Sequence, residues 1–178
     1  MPVTNRKNRK YSVVPYQESW VQDFQRIESE LKPVFGDLAI AFEHVGSTAV
    51  EGMSGKPTID VLIIVRNIQD VDALNEEMKK LGYTTLGDYI QQDLRLFAKE
   101  MNGERLINVH CSKQGHGHIK EMIVMRDFLR SHPAEAKEYA ELKLDLFAKH
   151  PDDYIAYRAV KDSYLQEMKK RALAWSEK

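Results

Sequence analysis

One cysteine, Cys111, stands in the whole chain, so no internal disulfide forms and a packed core has to hold the fold. That usage fits a reducing, cytoplasmic setting. No apolar run approaches the ~20 residues needed to cross a bilayer, and the first ten residues lack the apolar centre of a secretory signal. An excess of one charge is missing too. The 26 Lys and Arg residues nearly cancel the 27 Asp and Glu, leaving a net charge of -1. No overall field therefore draws the chain to nucleic acid or to an acidic membrane. Walker loops, dinucleotide fingerprints, a Ser-His-Asp order and a Cys-His pair are all absent, which removes activated-serine hydrolases and P-loop kinases.

What is present fits one ordinary globular domain over residues 1–178, its last third (119–178) helical. Residues 1–10, with Arg6, Lys7, Arg9 and Lys10, read as a flexible basic arm. Trp20, Phe24, Ile27 and Leu31 recur at helical spacing, a pattern that Pro33 is expected to end. Residues 38–45 and 58–65 read as strands, the second apolar on both faces and so central in its sheet. Asp70 is expected to cap a helix carrying Val71, Leu74, Met78 and Leu81, with Gly82 closing it.

Asn102-Gly103 is a strong hairpin-turn signal between strands at 94–101 and 104–111. Counting from that turn pairs Glu100 with Arg105 and places Arg95 opposite His110. Leu94, Leu96 and Ala98 then share the core face with Ile107, Val109 and Cys111. Arg95, Phe97, Lys99, Leu106, Asn108 and His110 take the other face. A Gly- and His-containing loop follows at 112–118. Three helices complete the chain, one with Tyr139, Leu142 and Leu146, the last with Tyr154, Tyr157 and Tyr164. The expected class is α/β (α+β), a small mixed sheet with flanking helices.

The segment 43–65, EHVGSTAVEGMSGKPTIDVLIIV, carries the chemistry. A strand ending in Gly46-Ser47 presents backbone N–H groups and a hydroxyl to an anion. Lys56 stands before the next strand, and Asp60 lies inside its apolar run. A lone carboxylate there has to be paired or metal-bound. Asp60 is the candidate catalytic group, and His110 and Glu43 are the candidate metal donors beside it. Gly46, Ser47, Lys56, Arg95, Arg126, Lys143 and Lys161 are the candidate phosphate-binding residues.

Taken together these residues resemble the GrpB family. The resemblance rests on Glu43-His44-Val45-Gly46-Ser47-Thr48-Ala49-Val50 and Lys56-Pro57-Thr58-Ile59-Asp60. It runs on through Leu81-Gly82-Tyr83, Asn108-Val109-His110, Arg126-Asp127-Phe128-Leu129-Arg130 and Tyr157 with Lys161. That family is similar in fold to the nucleotidyltransferases, in which a Gly-Ser turn holds nucleotide phosphates and three carboxylates bind divalent metal. The resemblance implies phosphate binding at Gly46 and Ser47, and Mg²⁺ or Mn²⁺ at Asp60. The second carboxylate position falls on Leu62 and the third on His110. Two functions follow: a metal-dependent nucleotidyltransferase, or a non-catalytic module binding a nucleotide or a coenzyme A-related molecule, since the family also resembles dephospho-coenzyme A kinase. An interaction protein using its C-terminal helices is the third reading. A nucleotide or phosphorylated small molecule is the expected partner, with no membrane and no strong nucleic-acid signal.

Overall fold

The computed structural model describes residues 9–86 and 93–178, so Arg6 and Lys7 of the basic arm lie outside the described residues. The periodic face of Trp20, Ile27 and Leu31 becomes α1, Ser19–Phe35. Contrary to expectation, α1 runs two residues past Pro33. In a last turn, the missing N–H forfeits a single bond, and buried Leu31 and Phe35 hold that turn down. Gly36, at φ +46°, ends the helix and donates its N–H to the Lys32 carbonyl.

Five strands form one mixed sheet: β1 (Ala39–Val45), β2 (Ile59–Val65), β3 (Thr84–Thr85), β4 (Leu94–Met101) and β5 (Glu104–Lys113). Their order is β1-β2-β5-β4-β3. β2 runs parallel to β5, and the remaining pairs are antiparallel. As its composition demands, β2 lies inside the sheet with Val61, Leu62, Ile63 and Val65 fully buried. The helix expected from Asp70 is split into a 3-10 turn, Gln69–Leu74, and a short α2, Asn75–Lys80. Asn67, not Asp70, offers the side-chain acceptor there, to the Gln69 N–H at 3.3 Å.

The hairpin register corrects the count made from its turn. Glu100 does face Arg105, but the ladder then slips, and Lys99 pairs with Ile107. Leu106 is the extra residue of a β-bulge, which reverses the inward and outward sides of β4 relative to β5. Phe97 therefore joins Val109 and Cys111 on the core face, and Leu94, Leu96 and Ala98 stand beside Ser112, His110 and Asn108. Arg95 goes with Phe97. It lies across the sheet from His110 and forms an ion pair with Asp72, Nε to Oδ1 2.6 Å.

One face of the sheet buries Val61, Ile63, Phe97 and Val109 against Trp20 and Leu31 of α1 and Met78 of α2. Facing the other side are α3 (Gly117–Ser131), α4 (Pro133–Lys149) and α5 (Tyr154–Ser176). These helices pack on one another and on Val50 and Met53 of the β1–β2 connection, through Phe128, Tyr139 and Met168. Tyr11 and Val13 join Leu146, Tyr154 and Tyr157 in a further cluster. Most of the loop expected at 112–118 is taken up by the ends of β5 and α3. Among the described residues, no helix is long and apolar enough to cross a membrane.

Candidate functional site

Between the second sheet face and α3–α5 lies a cleft of about 840 Å³, lined by Gly46, Ser47, Lys56, Asp60, His110, Arg126, Lys143 and Lys161 among others. Gly46 has φ +76°, and a Cβ added there would stand 2.6 Å from Asp60 Oδ2. Only glycine lets the turn lie against that carboxylate. The chain then closes a 3-10 turn, Ser47–Ala49, with the Ala49 N–H on the Gly46 carbonyl at 3.2 Å. Ser47 thus faces the cleft, and its hydroxyl accepts from Lys143 Nζ at 2.8 Å.

Lys143 is only 2 % exposed, although it is a lysine on a helix of alternating charge. Burial and then the neighbouring charges of Lys161 and Lys56 push its ammonium down to about 7. Lys56 Nζ donates to the Tyr154 hydroxyl at 2.8 Å, and Arg9 Nη1 reaches the same oxygen at 3.3 Å. Burial would raise the Tyr154 phenol, but these two cations outweigh it and lower its pKa. Burial also lowers Lys56, partly offset by Tyr154. Lys161 is held by Asp162, Nζ to Oδ1 2.8 Å. Burial alone would lower Lys161, yet Tyr139 and Asp162 leave its pKa raised.

Two cross-strand rows place the remaining groups. Val45, Asp60, Asn108 and Ala98 form one row, and Glu43, Leu62, His110 and Leu96 the next. Asn108 Nδ2 donates to Asp60 Oδ1 at 2.7 Å, and His110 Nε2 lies 3.5 Å from the same oxygen. Burial pushes the Asp60 carboxyl up, but the contacts with His110 and Asn108 prevail and hold it below the usual carboxylate range. Asp60 is therefore ionised, with a quarter of its side chain open to the cleft. Glu43 points to this face too, yet Arg126 Nη1 holds its carboxylate at 2.7 Å while Arg126 Nε holds Asp127 at 2.8 Å. His44 turns to the opposite face and stacks on Phe24 with ring centres 4.8 Å apart.

All the sequence-predicted site residues except Arg95 thus line or adjoin one cleft, and Arg95 is excluded by the bulge. Arg9, Asn108 and Tyr154 belong to the site but were read as arm, strand and core. Their neighbours in space come from distant segments, and no local pattern marks them. The donors do not fit a two-ion metal clamp. Leu62 occupies the centre of the row, Glu43 is paired, and among the described residues no three His, Cys, Asp or Glu side chains gather as a metal-holding group.

A Gly-Ser turn beside a mixed sheet, with a helical third closing the cleft, defines a nucleotidyltransferase-like fold. The Cid1 poly(U) polymerase structure shares it at a TM-score of 0.52 and 11% identity, over 76% of this chain and 44% of that one. Within that class the chain belongs to the GrpB family: the description "GrpB protein" matches residues 10–171. The crystal structure of conserved protein GrpB from Enterococcus faecalis superposes at a TM-score of 0.89 with 32% identity, covering 94% of this chain and all of that one (100%). YqkA, a UPF0157 protein of Bacillus subtilis, is 41% identical over 167 residues, 94% of this chain. The chain spans about half (48%) of YqkA's length. Dephospho-CoA kinase of Mycobacterium tuberculosis is 25% identical over 189 residues, 46% of its own length.

Proposed function

We propose that the cleft binds a nucleotide or a related phosphorylated small molecule. Its phosphates lie on the Gly46-Ser47 turn among Lys56, Lys143 and Lys161, and its less polar part rests against Met122, Met125, Leu129 and Leu165 on α3 and α5. One observation carries this reading. Among the described residues, neither Lys56 nor Lys143 has a carboxylate within salt-bridge distance, although both are enclosed. Enclosed, unpaired ammonium groups are unfavourable, and an anionic ligand supplies the missing charge. Asp60 opposes a phosphate at its own position and so directs the anion toward the lysines.

The likeness to dephospho-CoA kinase makes dephospho-CoA and ATP the first ligands to titrate. Calorimetry on wild-type protein, Ser47→Ala and Lys56→Ala tests the site. Each variant is expected to weaken binding by roughly 1.5–3 kcal/mol if its group bonds a phosphate. Affinity that ignores both substitutions would place the ligand elsewhere. Nucleotidyl transfer is the second reading, favoured by the ionised Asp60 beside the Gly-Ser turn. Incubation with labelled nucleoside triphosphate separates the two, because label transferred equally by wild type and Asp60→Asn removes Asp60 from any mechanism.

A further inference from the structure

We infer that the cleft takes its phosphorylated ligand without a divalent ion, Lys56, Lys143 and Lys161 providing the positive charge that metal would otherwise supply. The inference rests on the phosphate-site reading above and adds the electrostatic means of recognition. Three observations support it.

First, the donor row is broken at its middle. Leu62, wholly buried, stands between Glu43 and His110 where an alternate carboxylate would complete a metal cluster. Second, the carboxylates present already have partners of the wrong kind for metal binding. Glu43 is bound to a guanidinium at 2.7 Å, and a dication there would have to displace Arg126 or lie beside its charge. Asp60 Oδ1 receives an amide N–H from Asn108 at 2.7 Å, and Oδ2 lies against Gly46. The amide proton takes one lone pair of Oδ1, which reduces what that carboxylate can offer a metal.

Third, the cleft is already cationic. Among the described residues, eight Lys and Arg side chains line it; Arg105, Arg126, Arg158, Lys161 and Lys169 have carboxylate partners, which leaves Arg9, Lys56 and Lys143 as the cations with no carboxylate within salt-bridge distance. A dication beside the unpaired Lys56 and Lys143 is opposed by their charge, whereas a free polyphosphate is attracted. Gly55 fits the same picture. A Cβ there would meet Ser47 Cβ at 3.0 Å and Lys143 Nζ at 3.4 Å, so the backbone is drawn in until the serine and the amine share one wall.

The test is calorimetric titration of ATP and of pyrophosphate into the full chain, in EDTA and again with excess Mg²⁺. Binding is expected in EDTA, with Mg²⁺ leaving the affinity unchanged or lowering it by ~3-fold or more, since the ion neutralises ligand charge. Any tightening by Mg²⁺ beyond titration error overturns the inference and leaves the phosphate site standing. Absence of binding in both arms overturns the phosphate-site reading, and this inference with it. Mn²⁺ alone is the second probe: heat from wild type that Asp60→Asn abolishes overturns metal independence whatever the ligand does. In the EDTA arm, Lys161→Met and Lys143→Met are each expected to lower affinity ~10-fold or more. Full affinity in both variants would overturn the assignment of charge to the lysines.

Discussion

Lys143 shows how a single side chain couples charge to function. Its amine lies against Ser47 Oγ and over the Tyr139 ring, where burial first, and then the charges of Lys161 and Lys56, disfavour protonation. Its folded pKa of about 7 lies below the ordinary lysine value of 10.5. Between those limits the unfolded chain holds more protons, so unliganded stability rises with pH across that window, by at most ~1.4 kcal/mol per unit. Denaturant midpoints from pH 7 to 9 check this, and Lys143→Met removes its share of the slope. Ligand affinity runs the other way. A phosphate favours the ammonium, so affinity is full below pH 7 and falls above it. Titration at pH 8 in buffers of different ionisation enthalpy is expected to show proton uptake on binding. Gly46 makes the other prediction at this scale. Gly46→Ala forces a Cβ onto Asp60 Oδ2 at positive φ and is expected to destabilise the fold by ~1–3 kcal/mol. Adding Asp60→Ala should recover part of the loss in a double-mutant cycle, because the Oδ2 contact at 2.6 Å is gone while the Cβ at 3.2 Å and the positive φ remain.

Among the elements, the β4–β5 hairpin shows how one extra residue redistributes function. Leu106 shifts the ladder by one place, so Leu96 rather than Arg95 stands beside His110. Arg95 ends on the α2 side with Asp72, whose carboxyl it lowers. Arg95→Met is accordingly expected to leave pyrophosphate affinity within ~2-fold of wild type, because the substitution is across the sheet from the ligand. Its stability loss should be ~1–3 kcal/mol, since the guanidinium is only 12 % exposed and bonds Asp72 through two nitrogens, although the Asp72 side of the pair is solvent-exposed. Calorimetry and urea denaturation measure the two effects separately. A large loss of affinity would return Arg95 to the site.

At the scale of the whole molecule, the cleft joins the sheet, the 3-10 turn and the helical third, so a ligand there ties together segments distant in the chain. Linkage makes that visible as heat stability. At a hundred times its Kd, ATP or dephospho-CoA should add ~2.7 kcal/mol. For a chain of this size that raises Tm by ~5–10 °C. Raising monovalent salt to ~0.5 M should shrink the shift, since screening weakens a charge-driven site. Scanning calorimetry reads both, and a Tm that no phosphorylated probe moves would leave the cleft without its ligand.

Local chemistry settles much of this protein in advance. Apolar spacing writes α1, a doubly apolar run writes β2 into the sheet interior, and Asn102-Gly103 writes the hairpin turn, because each depends only on near neighbours in the chain. Gly46-Ser47, Lys56 and Asp60 are legible for the same reason, as one short segment delivers them to one strand end. Where the two ends of that site meet is a matter of tertiary contact. Burial of Lys143 on Ser47, the approach of Arg9 and Lys56 to Tyr154, and the pairing of Glu43 with Arg126 join residues far apart in sequence. The bulge at Leu106 belongs with them, since strand register past a turn follows the side chains that the core accepts, and only the packed sheet decides which those are.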